Sequence, residues 1–98
     1  MSEPLYGIRR TKRFKKDVER LKKQGADLRL LRTVVDLLSR SDEPLDAKYQ
    51  DHALKGKENG FRECHIKDDW LLKYAKDKTT LVLALTRTGT HQDLFGED

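Results

Sequence analysis

FRECHIKDDWLLKYAKDKTTLVLALTR, residues 61–87, is the stretch that decides the fold. It contains three short runs rich in β-favouring residues, 61–66, 70–75 and 80–87, separated by Lys67-Asp68-Asp69 and Lys76-Asp77-Lys78. Connections this short join only antiparallel neighbours, so the three runs form a meander entered through the Asn59-Gly60 turn. The last run, TLVLALTR, is apolar on both faces. It is therefore expected in the interior of the sheet, with helices on one side and something less polar than water on the other.

The helices lie upstream. Thr11 is placed to cap a helix carrying Phe14, Val18 and Leu21 at helical spacing, and Gly25 to end it in a left-handed conformation. Asp27 can cap a second helix with Leu31, Val34, Val35 and Leu38 at i, i+3, i+4 and i+7, its face widened by Leu30 and Leu37. Two helices joined so closely make a hairpin whose apolar stripe needs another layer. Residues 5–9, with Gly7 inside, suit an edge strand; 41–44 close the helical part; 46–57 show no period and read as a crossing loop. After the meander come a turn, Thr88-Gly89-Thr90, and a short tail, 91–98.

The fold class is thus α+β: an N-terminal strand and a two-helix hairpin packed on an antiparallel meander, ordered β-α-α-β-β-β, with a short C-terminal turn or helix. At 98 residues, 36% hydrophobic and 39% charged, residues 1–98 are expected to form one domain with a thin core. The longest apolar run, 81–85, is far short of the roughly 18 residues a membrane span needs, and no N-terminal segment resembles a secretion signal. A cytoplasmic protein with no membrane partner is expected. The single Cys64 cannot form an internal disulfide, which fits a reducing compartment.

Charge is divided unevenly. Residues 1–40 hold 12 Lys+Arg against 5 Asp+Glu, or +7, and residues 41–98 hold 9 against 12, or −3. The densest stretch, RRTKRFKKDVERLKK at 9–23, carries nine basic and two acidic residues, enough to attract a polyanion by counterion release. A solvated helix face would have much the same composition.

All three histidines, His52, His65 and His91, fall in the other half. Strands one and three of a meander run parallel, so their C-terminal ends share one edge of the sheet, which brings His65, Asp69 and His91 together. Topology alone leaves the position of His52 open. The intervals of twelve, three and twenty-one intervening residues match no short zinc signature. A cluster of imidazoles, each titrating near about 6.5 when unperturbed, can supply both a base and an acid near neutral pH. With Arg87 nearby, such a cluster suits RNA cleavage: a base takes the 2′-hydroxyl proton, the oxygen attacks its own phosphate, and an acid protonates the departing 5′ oxygen. That chemistry requires no metal or other cofactor.

Three segments, YQDHALKG (49–56), FRECHIKDDW (61–70) and RTGTHQDLFG (87–96), together resemble the YafQ branch of the RelE/ParE toxin superfamily. The resemblance implies a RelE-like fold and a type II toxin–antitoxin toxin acting as a ribosome-dependent mRNA endonuclease. It assigns His52, His65, Asp69 and His91 to catalysis, with Asp69 and His91 the first candidates for base and acid, in either order. It further implies that Arg87 meets the scissile phosphate and that Phe95 stacks on an mRNA base. Trp70 and Arg62 are substrate-side candidates, although Trp70 can equally fill the core or rim the site, and Arg62 can serve the sheet face. Arg9, Arg10, Lys12, Arg13, Lys15 and Lys16 would dock on ribosomal RNA. The implied partners are the ribosome with its A-site mRNA and an acidic DinJ-like or RelB-like antitoxin, with operator DNA reached only through the toxin–antitoxin complex.

The chain departs from the family pattern at several points. Ala53 stands where a proline usually follows the Asp-His pair, so the loop presenting His52 loses a rigid φ and is expected to be more mobile. Lys67-Asp68 replaces the usual Glu-Pro, changing the turn and adding a carboxylate expected to raise the pKa of Asp69. Glu97 and Asp98 extend beyond the usual glycine end. The competing functions are a ParE-like gyrase inhibitor, a branch that lacks this histidine set, and a non-catalytic RNA-binding module.

Overall fold

The computed structural model describes residues 3–95. It runs β1 (Gly7–Arg10), α1 (Lys12–Lys23), α2 (Leu28–Arg40), β2 (His52–Ala53), β3 (Arg62–Lys67), β4 (Trp70–Asp77), β5 (Val82–Gly89) and α3 (His91–Phe95), with 3₁₀ turns at Ala47–Tyr49 and Gly56–Glu58. The five strands form one sheet in the order β1-β5-β4-β3-β2, with β1 parallel to β5 and every other pair antiparallel. The meander, the interior position of its third strand and the edge strand before the helices are as expected from sequence.

Local chemistry explains the helix ends. Thr11 Oγ1 accepts the Phe14 amide at 3.0 Å and donates to the Thr86 carbonyl at 2.8 Å, so one hydroxyl both caps α1 and ties it to β5. Gly25, at φ +82°, ends α1, and Asp27 Oδ1 accepts the Arg29 amide at the start of α2. The inner faces of the helices then bury Phe14, Leu31, Val34 and Leu38 against Cys64, Ile66, Leu72, Tyr74, Leu83 and Leu85 of the sheet. Full burial of each large apolar side chain contributes on the order of 1.5–3 kcal/mol. Burial, aided by Asp51 and Glu63, pushes the Cys64 thiol up to about 12. Leu71 and Glu63 are buried outside this cluster, so the second face of the sheet is covered as well.

Several sequence expectations are corrected. The crossing loop is interrupted by β2, whose two residues are too few to show a period. Leu37 does not widen the buried face of α2 but is 43% exposed. Thr80 and Leu81 belong to the turn before β5, because Asp77 Oδ1 accepts the amides of Thr79 and Thr80 and Leu81 takes φ +58°. Thr88 and Gly89 continue β5 instead of forming a turn. Gly96, Glu97 and Asp98 lie outside the described residues. Among the described residues no helix is long and apolar enough to cross a membrane.

Candidate active site

Because β3 and β5 both pair antiparallel with β4, the turn after β3 and the segment after β5 emerge at the same end of the sheet. The β3–β4 register is irregular between His65 and Lys67, and Asp68 adopts φ +49°. Aspartate tolerates that left-handed backbone, whereas the fixed φ of proline would not allow it. The turn carries the side chain of Asp69 to α3, where its Oδ1 lies 2.9 Å from His91 Nδ1. The His65 and His91 ring centroids are 6.2 Å apart with their planes inclined at 65°, and the Phe95 ring centroid lies 6.1 Å from that of His91. Phe95 is 44% exposed.

Hydrogen-bond partners fix the imidazole protons. A backbone carbonyl can only accept, so His65 Nδ1, 3.2 Å from the Asp68 carbonyl, and His52 Nδ1, 2.8 Å from the Gln50 carbonyl, carry their hydrogens. His91 Nδ1 donates in the same way to the Asp69 carboxylate. In the neutral rings each Nε2 therefore holds the lone pair able to take a proton. The hydrogen bond from His91 holds the Asp69 carboxyl below its ordinary range, against a smaller opposing effect of desolvation. This corrects the expectation that Asp68 would raise it; the His91 contact dominates.

His52 lies outside the three meander strands. It sits on β2 opposite Glu63, with Nε2 3.5 Å from Glu63 Oε1, and Glu63 precedes His65 by two residues on the same face of β3. The preceding Asp51 is anchored by Tyr74, whose hydroxyl donates to Oδ1 at 2.6 Å, and by Arg62 Nη2 at 3.1 Å from Oδ2. Ala53 forms a rung with Arg62, so the segment bearing His52 is strand-paired. Trp70 is half-buried against the core and donates its Nε1 hydrogen to Thr88 Oγ1 at 2.9 Å.

Arg87 is held by a carboxylate that sequence reasoning passed over. Asp17 of α1 is 2% exposed and takes four hydrogen bonds. Oδ2 accepts Arg87 Nε at 2.8 Å and the Thr88 amide at 3.0 Å, and Oδ1 accepts Arg20 Nη1 at 2.9 Å and Arg87 Nη2 at 3.2 Å. Burial alone would raise its pKa, but the bonds from Arg87, Thr88 and Arg20 outweigh burial and hold it below the ordinary carboxylate value. The available signal was its place on the stripe of Phe14, Val18 and Leu21: an acid on the inner face of a basic helix needs a cationic partner. Arg9, Arg10, Lys12, Arg13, Lys15 and Lys16 are all exposed along β1 and the first turns of α1. Among the described residues no three His, Cys, Asp or Glu side chains are grouped to hold a metal ion.

Residues 6–96 match the family model described as the bacterial toxin of type II toxin–antitoxin system, YafQ. The mRNA interferase toxin YafQ of Escherichia coli K12 is 40% identical over 83 residues, covering 85% of this chain and 88% of that one. The E. coli DinJ–YafQ toxin–antitoxin complex contains a chain superposing with a TM-score of 0.86 at 36% identity, over 94% of this chain and 99% of the other. A metal-bound toxin from Helicobacter pylori superposes with a TM-score of 0.85 at 47% identity, over 92% and 99%.

Proposed function

The chain belongs to the YafQ family of bacterial type II toxin–antitoxin toxins, and from that premise we propose that it is a ribosome-dependent mRNA endonuclease in which residues 1–98 work as one domain. The observation that carries the reading is the Asp69–His91 contact at 2.9 Å, with the ring centroids of His65 and Phe95 lying 6.2 and 6.1 Å from that of His91. The E. coli relative named as an mRNA interferase supports the substrate class.

In this mechanism His91 Nε2 takes the proton of the 2′-hydroxyl, and the Asp69 carboxylate at Nδ1 stabilises the imidazolium that results. The 2′ oxygen attacks the adjacent phosphorus. The P–O5′ bond breaks, and protonated His65 delivers its proton to the departing 5′ oxygen, leaving a 2′,3′-cyclic phosphate and a 5′-hydroxyl. His52 supports the charge of this edge beside Glu63. Arg87 faces the phosphate, Phe95 stacks on a base, Trp70 and Arg62 brace the substrate side, and the exposed cations of β1 and α1 dock on ribosomal RNA. Proton transfer by these groups needs no metal. An acidic antitoxin restrains the toxin and joins it to operator DNA, a partnership supported by the E. coli DinJ–YafQ complex.

The test is a translating extract carrying mRNA with a 2′-deoxyribose at the mapped cut. The proposal expects the deoxy substitution to abolish cleavage, and a chelator specific for transition metals, in buffered Mg²⁺, to leave cleavage of the unmodified mRNA intact. Cutting at the deoxy position, or loss of cutting with the chelator, contradicts it.

A further inference from the structure

We propose that Asp17 is a positioning residue that couples the basic helix to the cutting edge, setting Arg87 directly and the start of α3 through Arg20 and Asp93. The inference rests on the functional reading above and adds to it a role for a residue on the far side of the docking helix.

The connections are continuous. After bonding Asp17, Arg20 reaches on with Nη2 to the Thr88 carbonyl at 3.2 Å and to Asp93 Oδ2 at 3.3 Å. Asp93 Oδ2 accepts the Thr90 amide at 2.9 Å while its own amide donates to Thr90 Oγ1 at 3.1 Å, a reciprocal pair that starts α3 immediately before His91. Arg87 Nη2 also donates to the Asp93 carbonyl at 3.3 Å. The chain passes through this junction at Gly89, φ +149°, where a Cβ would lie 2.7 Å from both Arg20 Nη2 and Asp93 Oδ2. A side chain there and the ion-pair chain exclude one another. Lys12, Arg13, Lys15 and Lys16 are exposed on α1 while Asp17 is buried on its inner surface, so the helix that carries the basic face is joined by short polar contacts to the Arg87 guanidinium and to the residues that start α3.

The experiment is Asp17→Asn assayed on programmed ribosomes alongside wild type, Arg87→Ala and the double variant, with NMR of the Arg87 Nε–H and the histidine ring nitrogens. Misplacement of reacting groups by about an ångström costs on the order of a hundredfold in rate. The expected result is a folded variant with kcat down about a hundredfold and KM within threefold. The double variant should cut no more slowly than Arg87→Ala, because the two changes share one pathway. The Arg87 Nε–H signal should broaden by exchange, and the His91 ring signals should shift while those of His52 stay in place. A kcat within threefold of wild type, or ring and guanidinium spectra that do not change, overturns the proposal. Should Asp17→Asn fail to fold, Arg20→Gln cuts the link to Asp93 at a partly exposed position, and unchanged His91 ring signals in that variant are equally fatal. If wild type itself cuts nothing, the functional reading fails, while the spectra still decide the positioning role.

Discussion

Replacing Thr88 by valine keeps the shape of a fully buried side chain and removes its hydroxyl. That hydroxyl donates to the Leu71 carbonyl at 2.7 Å and accepts the Trp70 indole hydrogen at 2.9 Å. Each bond contributes about 1 kcal/mol net, and a buried partner left unpaired adds part of a desolvation cost of about 1–3 kcal/mol. Trp70 is only half-buried, so its indole recovers some hydration; the expected loss is about 2–3 kcal/mol. Against a total stability of roughly 5–15 kcal/mol for a chain of this size, that is a large fraction. It corresponds to a fall in Tm of roughly 10–20 °C. The single tryptophan, Trp70, makes urea denaturation followed by its fluorescence a direct assay. The midpoint should fall with the slope unchanged, and Thr88→Ser, which keeps the hydroxyl, should lose about half as much or less. A Thr88→Val loss below about 0.5 kcal/mol would show that the hydroxyl does not join β4 to β5 as described.

Gly89→Ala should lower cleavage about tenfold and reduce stability, because the added carbon meets Arg20 and Asp93 at 2.7 Å; ribosomal cleavage and a thermal melt measure both. The Asp17 carboxyl sits below its ordinary pKa in the folded protein, so its contribution is complete above the unfolded value of about 3.9 and is lost as pH falls through the folded value. The urea midpoint of Asp17→Asn should therefore change less between pH 5 and pH 2 than that of wild type. Replacing Lys12, Arg13, Lys15 and Lys16 by glutamine should weaken ribosome binding and flatten its salt dependence by about one slope unit per lost phosphate contact, leaving kcat unchanged. Binding measured from low to high salt by sedimentation or filter retention checks this.

The parts of the fold that were legible in the sequence are those set by local chemistry or by short connections. Thr11, Gly25 and Asp27 mark helix ends because caps act within a few residues, and the two short connections, of two and four residues, leave the meander no other pairing. The same connectivity brought His65, Asp69 and His91 to one edge. Features that depend on distant partners were not legible. The strand bearing His52 is two residues long and exists because β3 offers it an open edge, and Leu37 looked like part of a buried stripe because periodicity does not say how wide the covering layer is. Asp17 was hidden in a basic run, since its cationic partner Arg87 lies 70 residues away. The state of Asp69 was not legible either, because the hydrogen bond from His91, 22 residues further on, outweighs a sequence neighbour.

Mapping mRNA 5′ ends in a translating extract, with wild type and with His91→Ala, tests the central claim most directly. The account predicts new 5′-hydroxyl ends in a fixed phase with the reading frame for wild type and their loss, by at least a hundredfold, for the variant. New ends of equal abundance from His91→Ala, or wild-type ends with no relation to the frame, would contradict it.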